Sequence, residues 1–489
     1  MSVESSSLSF SRAAIRGTAW RYLTFFSGKL MLLISTVILA RLLSKDDFGV
    51  VGFAVTTIGF LDVMSDLGVG PALIYHPDDE NTSTTAFWLG LLIATALLAL
   101  TWISAPLVGF FFQDPRAIPV TRVLALTYPL NALGAIHQTR LQKKLAFGQT
   151  FLPNLLQSIG KGLGSILLAL LGLGAWSLIG GQLGGVLVGV IAFWAASRWQ
   201  PSFRFDPPMA RSLISYGVKI VWVDLLGILL LNLDYLLVGR YLGAVSLGIY
   251  TLAFRVPDLL ILQFARTLSG VIFPIYTRMR DVPGSLRKGF AQTTRYISLV
   301  TIPLGVGLAL VAQPFVLTVF SEKWIEAVPV VRAIAIYAMF LSLAYNAGSV
   351  YKAEGRPQVL TWLGLIRLAV LLPGLYWATA SAQSIVMVGW VQAVVAFLGG
   401  LLNLVIAGRL LDLSPADLFA ALRPALVAVF FLALAVLPVL FATQSAAAWV
   451  QLFVASLAGF LAYSLALWFL QPEVVQAILR QVRSALGRA

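Results

Sequence analysis

Six cations stand inside otherwise apolar sequence: Lys29, Lys161, Arg255, Arg266, Arg295 and Arg367. Three acids share that setting, Asp62, Asp224 and Asp258. A charge in an apolar stretch must face a partner or a wet cavity, because its uncompensated burial is costly. The wider set adds Lys219, Arg332, Asp66 and Asp234 near stretch ends, where long side chains reach back toward polar surroundings. Cations outnumber acids, which suits a hosted anion. Arginine is the best group for one, since its planar fork stays charged and grips phosphate through two bonds. Packing against Trp and Tyr, or internal ion pairs, accounts for the same surplus without a ligand. Arg255 and Asp258, three apart on a helix, are placed to neutralise each other. The three acids are partners for arginine or, alternatively, binders of a coupling proton or sodium ion.

The elements that carry these residues are membrane helices. The chain has 489 residues, 59% apolar and only 11% charged. Soluble proteins are roughly a quarter charged. Residues 81–113, 162–197, 368–408 and 424–472 contain no Asp, Glu, Lys or Arg. One crossing needs about 20 residues, so the last run alone holds two. Alternating ten-residue segments, the mark of a membrane β-barrel, are absent. The fold class is therefore an all-α polytopic membrane protein with about fourteen spans. They are expected near 18–43, 47–74, 84–112, 117–142, 148–172, 175–197, 212–239, 246–277, 288–312, 325–351, 358–380, 384–408, 422–442 and 447–470.

Net charge is +14, which in a membrane protein reflects retention of Lys and Arg on the cytoplasmic side rather than a nucleic-acid partner. With the N-terminus inside, the inner loops and both tails hold most of the 34 Lys and Arg. The outer loops hold Arg41, Lys45, Arg116, Arg122, Arg240 and Lys323. Both termini are thus expected in the cytoplasm. No signal-peptide cleavage pattern opens the chain. Residues 473–489 carry an apolar face beside Arg480 and Arg483, a basic amphipathic tail for the interface.

The sequence repeats itself. Ala40–Ala54 lays over Gly239–Ala253 without a gap, so that Arg41 falls on Arg240, Gly49 on Gly248 and Ala54 on Ala253. Phe147–Gln182 resembles Arg356–Gln392, with Lys161 and Arg367 as the cations of the two copies. Parallel repeats of six spans each follow. Residues 1–205 and 206–415 form two lobes, 416–472 two extra helices and 473–489 the tail. Gly181, Gly185 and Gly189 recur every four residues and favour close helix packing. Proline within spans serves as kinks or as breaks filled by neighbours.

Several chemistries are excluded. There is no cysteine, hence no disulfide or thiolate site. Gly28-Lys29 and Gly160-Lys161 lack the leading glycine of a phosphate-binding loop. The two histidines, His76 and His137, have no metal-ligand partner at helical spacing, and no catalytic set emerges. A transporter is expected rather than an enzyme, with no metal and no cofactor beyond a possible coupling H+ or Na+.

Leu39-Ala40-Arg41-Leu42-Leu43-Ser44, Asp47-Phe48-Gly49 and Asp66-Leu67-Gly68-Val69 resemble the opening of bacterial polysaccharide-transport flippases. The stretch Asp234–Arg240, then Leu242-Gly243, Leu247–Tyr250, Ala253–Arg255 and Phe273-Pro274 are similar to the second-lobe signature of that family. The subgroup it resembles is the Wzx and WzxC type, within the superfamily that also holds multidrug (MATE) antiporters and the lipid II flippase. The resemblance implies two six-helix lobes in a V around a central cavity. It implies transfer of an oligosaccharide on undecaprenyl diphosphate from the inner to the outer leaflet of the bacterial inner membrane. A polysaccharide polymerase and a chain-length regulator would be its partners. Arg255 and Lys29 would hold the diphosphate, with Lys161 and Arg367 as further candidates. The signature Gly and Asp residues match structural positions. Two other classes stay open: a cation-coupled drug antiporter, which prefers an acidic or aromatic lumen, and a membrane glycan polymerase, which carries a large outer loop.

Overall fold

The computed structural model describes residues 27–66, 73, 79–144, 146–473 and 475–476. Among them all regular structure is helical, and nine helices are long and apolar enough to cross a membrane. Most of the tail expected over 473–489 lies outside the described residues, as do Arg12, Arg16, Arg21 and the His76–Asp78 part of the acidic loop. The chain divides into two compact units, Met1–Gly248 and Ile249–Ala489.

In the first unit the helices are α1 (27–42), α2 (Lys45–Asp66), α3 (Glu80–Phe112), α4 (Ala117–Leu124), α5 (Thr127–Lys143), α6 (Phe147–Leu170) and α7 (Ala175–Ser197), followed by the start of α8 (Pro207–Pro257). Local chemistry sets their ends. Ser44 and Asp47 cap α2 reciprocally: Ser44 N–H donates to Asp47 Oδ2 at 2.9 Å and Asp47 N–H to Ser44 Oγ at 3.1 Å. Asp79 accepts the Thr82 N–H at the start of α3. At the far end of α3, Arg240 Nη1 donates to the Phe111 carbonyl at 2.7 Å, covering a group the helix cannot satisfy itself. The single span expected over 117–142 is broken into α4 and α5 at Ala125-Leu126.

Glycine decides two contacts. On α7, a Cβ at Gly181 or Gly185 would lie 2.5 Å from Ser165 N or 2.7 Å from Lys161 N. The glycine stripe therefore lets α7 lie against the α6 backbone, as its spacing suggests. The second contact joins the sequence repeat. A Cβ on Gly49 would overlap the Ala244 carbonyl oxygen, and one on Gly248 would overlap the Lys45 carbonyl oxygen. The offset that maps Gly49 on Gly248 also maps Lys45 on Ala244, so the two copies meet through equivalent residues. Gly243 (φ 77°, ψ −175°) interrupts α8 immediately before Ala244, a conformation only glycine adopts without strain.

In the second unit a π turn (Asp258–Leu262) leads into α9 (Gln263–Arg280). Then come α10 (Ser285–Leu310), the short α11 (Ala312–Val319), a 3-10 turn (Glu322–Trp324) and α12 (Ala327–Ala353). After them lie α13 (Gln358–Tyr376) with a π turn (Trp377–Ser381), α14 (Ile385–Leu410), α15 (Pro415–Ala442) and α16 (Ala448–Leu470). The sequence reading missed α11 and both π turns. The centre is α12, whose small and branched residues are buried on nearly every face and which packs on α9, α10 and α14. Helix α15 packs on α10, and Tyr463 of α16 donates to the Leu299 carbonyl at 2.8 Å. The outward faces of α13 to α16 show Trp362, Ile366, Val370, Phe430, Phe441 and Phe460 to the surroundings, a surface suited to lipid.

Candidate anion site

The second unit gathers three of the expected residues. Pro257 offers no N–H, and the turn after it widens so that Gln263 N–H reaches back to the Asp258 carbonyl. At about 100° per residue, a side chain eight positions ahead points roughly 80° away from the first. One extra residue absorbed by a π turn cuts that to roughly 20°. Arg266 thereby comes onto the face of Asp258, and Arg266 Nη2 donates to Asp258 Oδ1 at 3.0 Å. Mutual neutralisation with Arg255, three residues before it, was one of two readings open for Asp258. Asp258 pairs with Arg266, and the five-residue π turn that it opens brings this second cation onto its face. Arg255 itself is partly buried on α8.

From Arg266 a polar seam runs between α9 and α12. Arg266 Nε donates to Tyr345 Oη at 3.3 Å. The Ser269 and Ser349 hydroxyls lie 2.7 Å apart, and Tyr276 Oη donates to Asn346 Oδ1 at 2.9 Å. Asn346 in turn donates to Thr294 Oγ1 at 2.8 Å. These bonds fix α9, and with it Arg266, on the buried α12. Arg367 on α13 donates from Nη2 to Tyr337 Oη at 3.3 Å, with its guanidinium 6.0 Å from the Tyr337 ring centroid. Tyr337 also lies within electrostatic range of Arg266. Arg266, Arg367, Asp258, Tyr345 and Tyr337 thus form one cluster. The Nε atoms of Arg295 and Arg367 are buried without a hydrogen-bond partner.

Lys29 and Lys161 belong to the first unit, on α1 and α6. These helices pack where Gly162 meets Met31 and Ser35, and both lysines are partly buried. Asp62 is exposed and lies within electrostatic range of Tyr128. Asp224 falls on α8, but its side chain lies outside the described residues, as do those of Asp66 and Lys219. Asp234 departs from expectation. Its place near a stretch end suggested a side chain reaching for the interface, yet it is 1% exposed, with Oδ1 accepting the Tyr235 N–H at 3.0 Å. Sequence reasoning missed Tyr337 and Tyr345. Their signal was faint: two hydroxyl-bearing rings eight apart on an apolar helix.

A second arginine–acid group lies in the loop between α3 and α4. Arg116 donates from Nε and Nη2 to both oxygens of Asp114, and from Nη1 and Nη2 to both oxygens of Asp46. The hydrogen bonds from Arg116 hold the Asp114 carboxyl below the ordinary carboxylate range, while its two acids push the guanidinium pKa up. Asp46 adjoins Lys45 of the glycine contact, so this group belongs to the frame.

The sequence profile of the polysaccharide biosynthesis proteins matches residues 38–329. Teichuronic acid biosynthesis protein TuaB of Bacillus subtilis (strain 168) is 27% identical, with 97% of this chain and 99% of that protein covered. Succinoglycan biosynthesis transport protein ExoT of Rhizobium meliloti (strain 1021) is 26% identical, with 73% and 72% covered. Among solved structures, the lipid II flippase MurJ superposes with a TM-score of 0.76 at 16% identity, covering 94% of this chain and 100% of that one. The chain therefore belongs to the polysaccharide biosynthesis protein family, as a membrane protein with the fold of MurJ.

Proposed function

We propose that this protein carries an oligosaccharide, linked to a prenyl diphosphate, from the inner to the outer leaflet of the bacterial cytoplasmic membrane. The observation that carries the proposal is the Arg266–Arg367 cluster. Two guanidiniums stand on apolar helices, tied to tyrosine hydroxyls and with donor groups left over. A phosphate-bearing headgroup meets that chemistry, and the apolar outer faces of α13 to α16 suit a polyprenyl chain in lipid. Lys29, Lys161, Arg255 and Arg295 are the further cations of this reading. The architecture in this reading is about fourteen spans in two six-helix repeats plus two extra helices, with both termini cytoplasmic. A sugar polymerase and a chain-length regulator receive the product outside. Asp62, Asp224 and Asp258 are the carboxylates available to a coupling ion.

The test is the leaflet in which the lipid-linked repeat unit collects when the gene is deleted. In spheroplasts, a glycan-cleaving enzyme added outside should leave the accumulated lipid intact, and lysis should expose it. Accumulation on the outer leaflet would point to a polymerase. Normal glycan with increased drug sensitivity would point to an antiporter. Either result overturns the proposal.

A further inference from the structure

Arg266 and Arg116 both lie beside acids, but Arg116 is far more fully engaged. Four of its donor contacts go to Asp114 and Asp46, each carboxylate being held through both oxygens. Of the five N–H donors of a guanidinium, Arg266 engages two, one on Asp258 Oδ1 and one on Tyr345 Oη. Asp258 is a one-point partner at 3.0 Å, and its second oxygen is only distantly approached, by Gln263 Nε2 at 3.5 Å. Neither side chain is sealed: Arg266 is 34% and Asp258 22% accessible.

We propose that Asp258 is a resident counter-ion for Arg266, holding the guanidinium while the site is empty and yielding it to a phosphoryl group of the incoming diphosphate. This rests on the reading of the site given above. Three physical points support it. An arginine at membrane depth without a counter-charge is costly, so the empty site needs an anion of its own. A carboxylate held through one oxygen competes poorly with a phosphoryl group that offers two oxygens to the fork. Tyr345 holds Nε from the other side, so the guanidinium keeps its place while its partner changes. The π turn supplies the register, since without the extra residue Asp258 would not share a face with Arg266. Asp258 thus weakens binding by competing for the site, and it re-pairs with Arg266 when the headgroup departs, which favours release. It also sets specificity, because a ligand with a single weak oxygen contact gains little over the carboxylate already there.

The test uses the full chain in lipid nanodiscs and farnesyl diphosphate as the probe, with affinities read by calorimetry. Arg266→Gln should weaken binding by roughly tenfold or more, the scale of a lost charge-assisted contact. Asp258→Asn should tighten it several-fold, and the double variant should bind no better than Arg266→Gln alone. Unchanged or weaker binding by Asp258→Asn overturns the counter-ion, as does a gain that survives in the Arg266→Gln background. If the native chain and Arg266→Gln bind alike, the diphosphate reading of the site fails first, and the counter-ion falls with it. Should Asp258→Asn not yield folded protein, infrared difference spectra of the native chain decide. Adding farnesyl diphosphate should perturb a carboxylate band that stays still in Arg266→Gln, and a silent native spectrum overturns the proposal.

Discussion

Arg116 and Arg266 are the same residue used in two ways. Arg116 sits in a loop with two carboxylates gripped through both oxygens, beside the Gly49–Gly248 contact. Arg266 sits on an apolar helix with one carboxylate held at one point and a tyrosine hydroxyl at 3.3 Å. The first arrangement commits four of the five donors to carboxylates and ties the α3–α4 loop to α2. The second is neutralised but not filled. The distinction that matters is how many donors are left, and proximity to an acid alone does not reveal it.

Gly49→Val or Gly248→Val drives a branched side chain into a carbonyl oxygen and should abolish folded protein. Size-exclusion profiles of the purified chain check this, and a monodisperse, fully active Gly248→Val would show that the frame tolerates opening. Arg266→Gln should leave folding intact and cut polysaccharide export at least roughly tenfold in a complemented deletion strain, with protein level matched by immunoblot. Tyr345→Phe removes one hydroxyl from the arginine and should lower export a few-fold, since a hydrogen bond as long as 3.3 Å is worth about 1 kcal/mol.

Arg116→Ala should have the smallest effect, under about 1 kcal/mol by thermal unfolding, because exposed pairs are screened. Export per folded molecule should not change. Its dependence on pH has a definite sign. The Asp114 carboxyl is held low in the folded state, so its contribution is present above the ordinary carboxylate pKa and lost as pH falls through the depressed one. Native and Arg116→Ala proteins should differ near neutrality and converge in strong acid. Convergence at neutral pH instead would make Arg116 as dispensable as an ordinary surface residue.

Helix positions were largely legible, because long charge-free runs leave few alternatives to a buried helix. The glycine stripe on α7 was legible for a similar reason: spacing by four places small residues on one face. The Asp258–Arg266 pair was not, since it depends on one residue absorbed in a π turn, and the sequence there shows only Pro257 ahead of an apolar run. Tyr337 and Tyr345 were lost among many aromatics for want of a tertiary partner in view. The repeat of Ala40–Ala54 in Gly239–Ala253 was visible as a likeness, but likeness carries no information about contact. The break between α4 and α5 and the burial of Asp234 were hidden because composition sets a helix's medium and leaves its neighbours open.

Residue 49 meets 244 and residue 248 meets 45, so the glycine joint is isologous: a half-turn exchanges its two sides. Such a surface recognises itself. Two separate copies of a chain half this length could meet through the same glycines, with no second surface to invent. The joint is thus sufficient in itself to hold two like segments together.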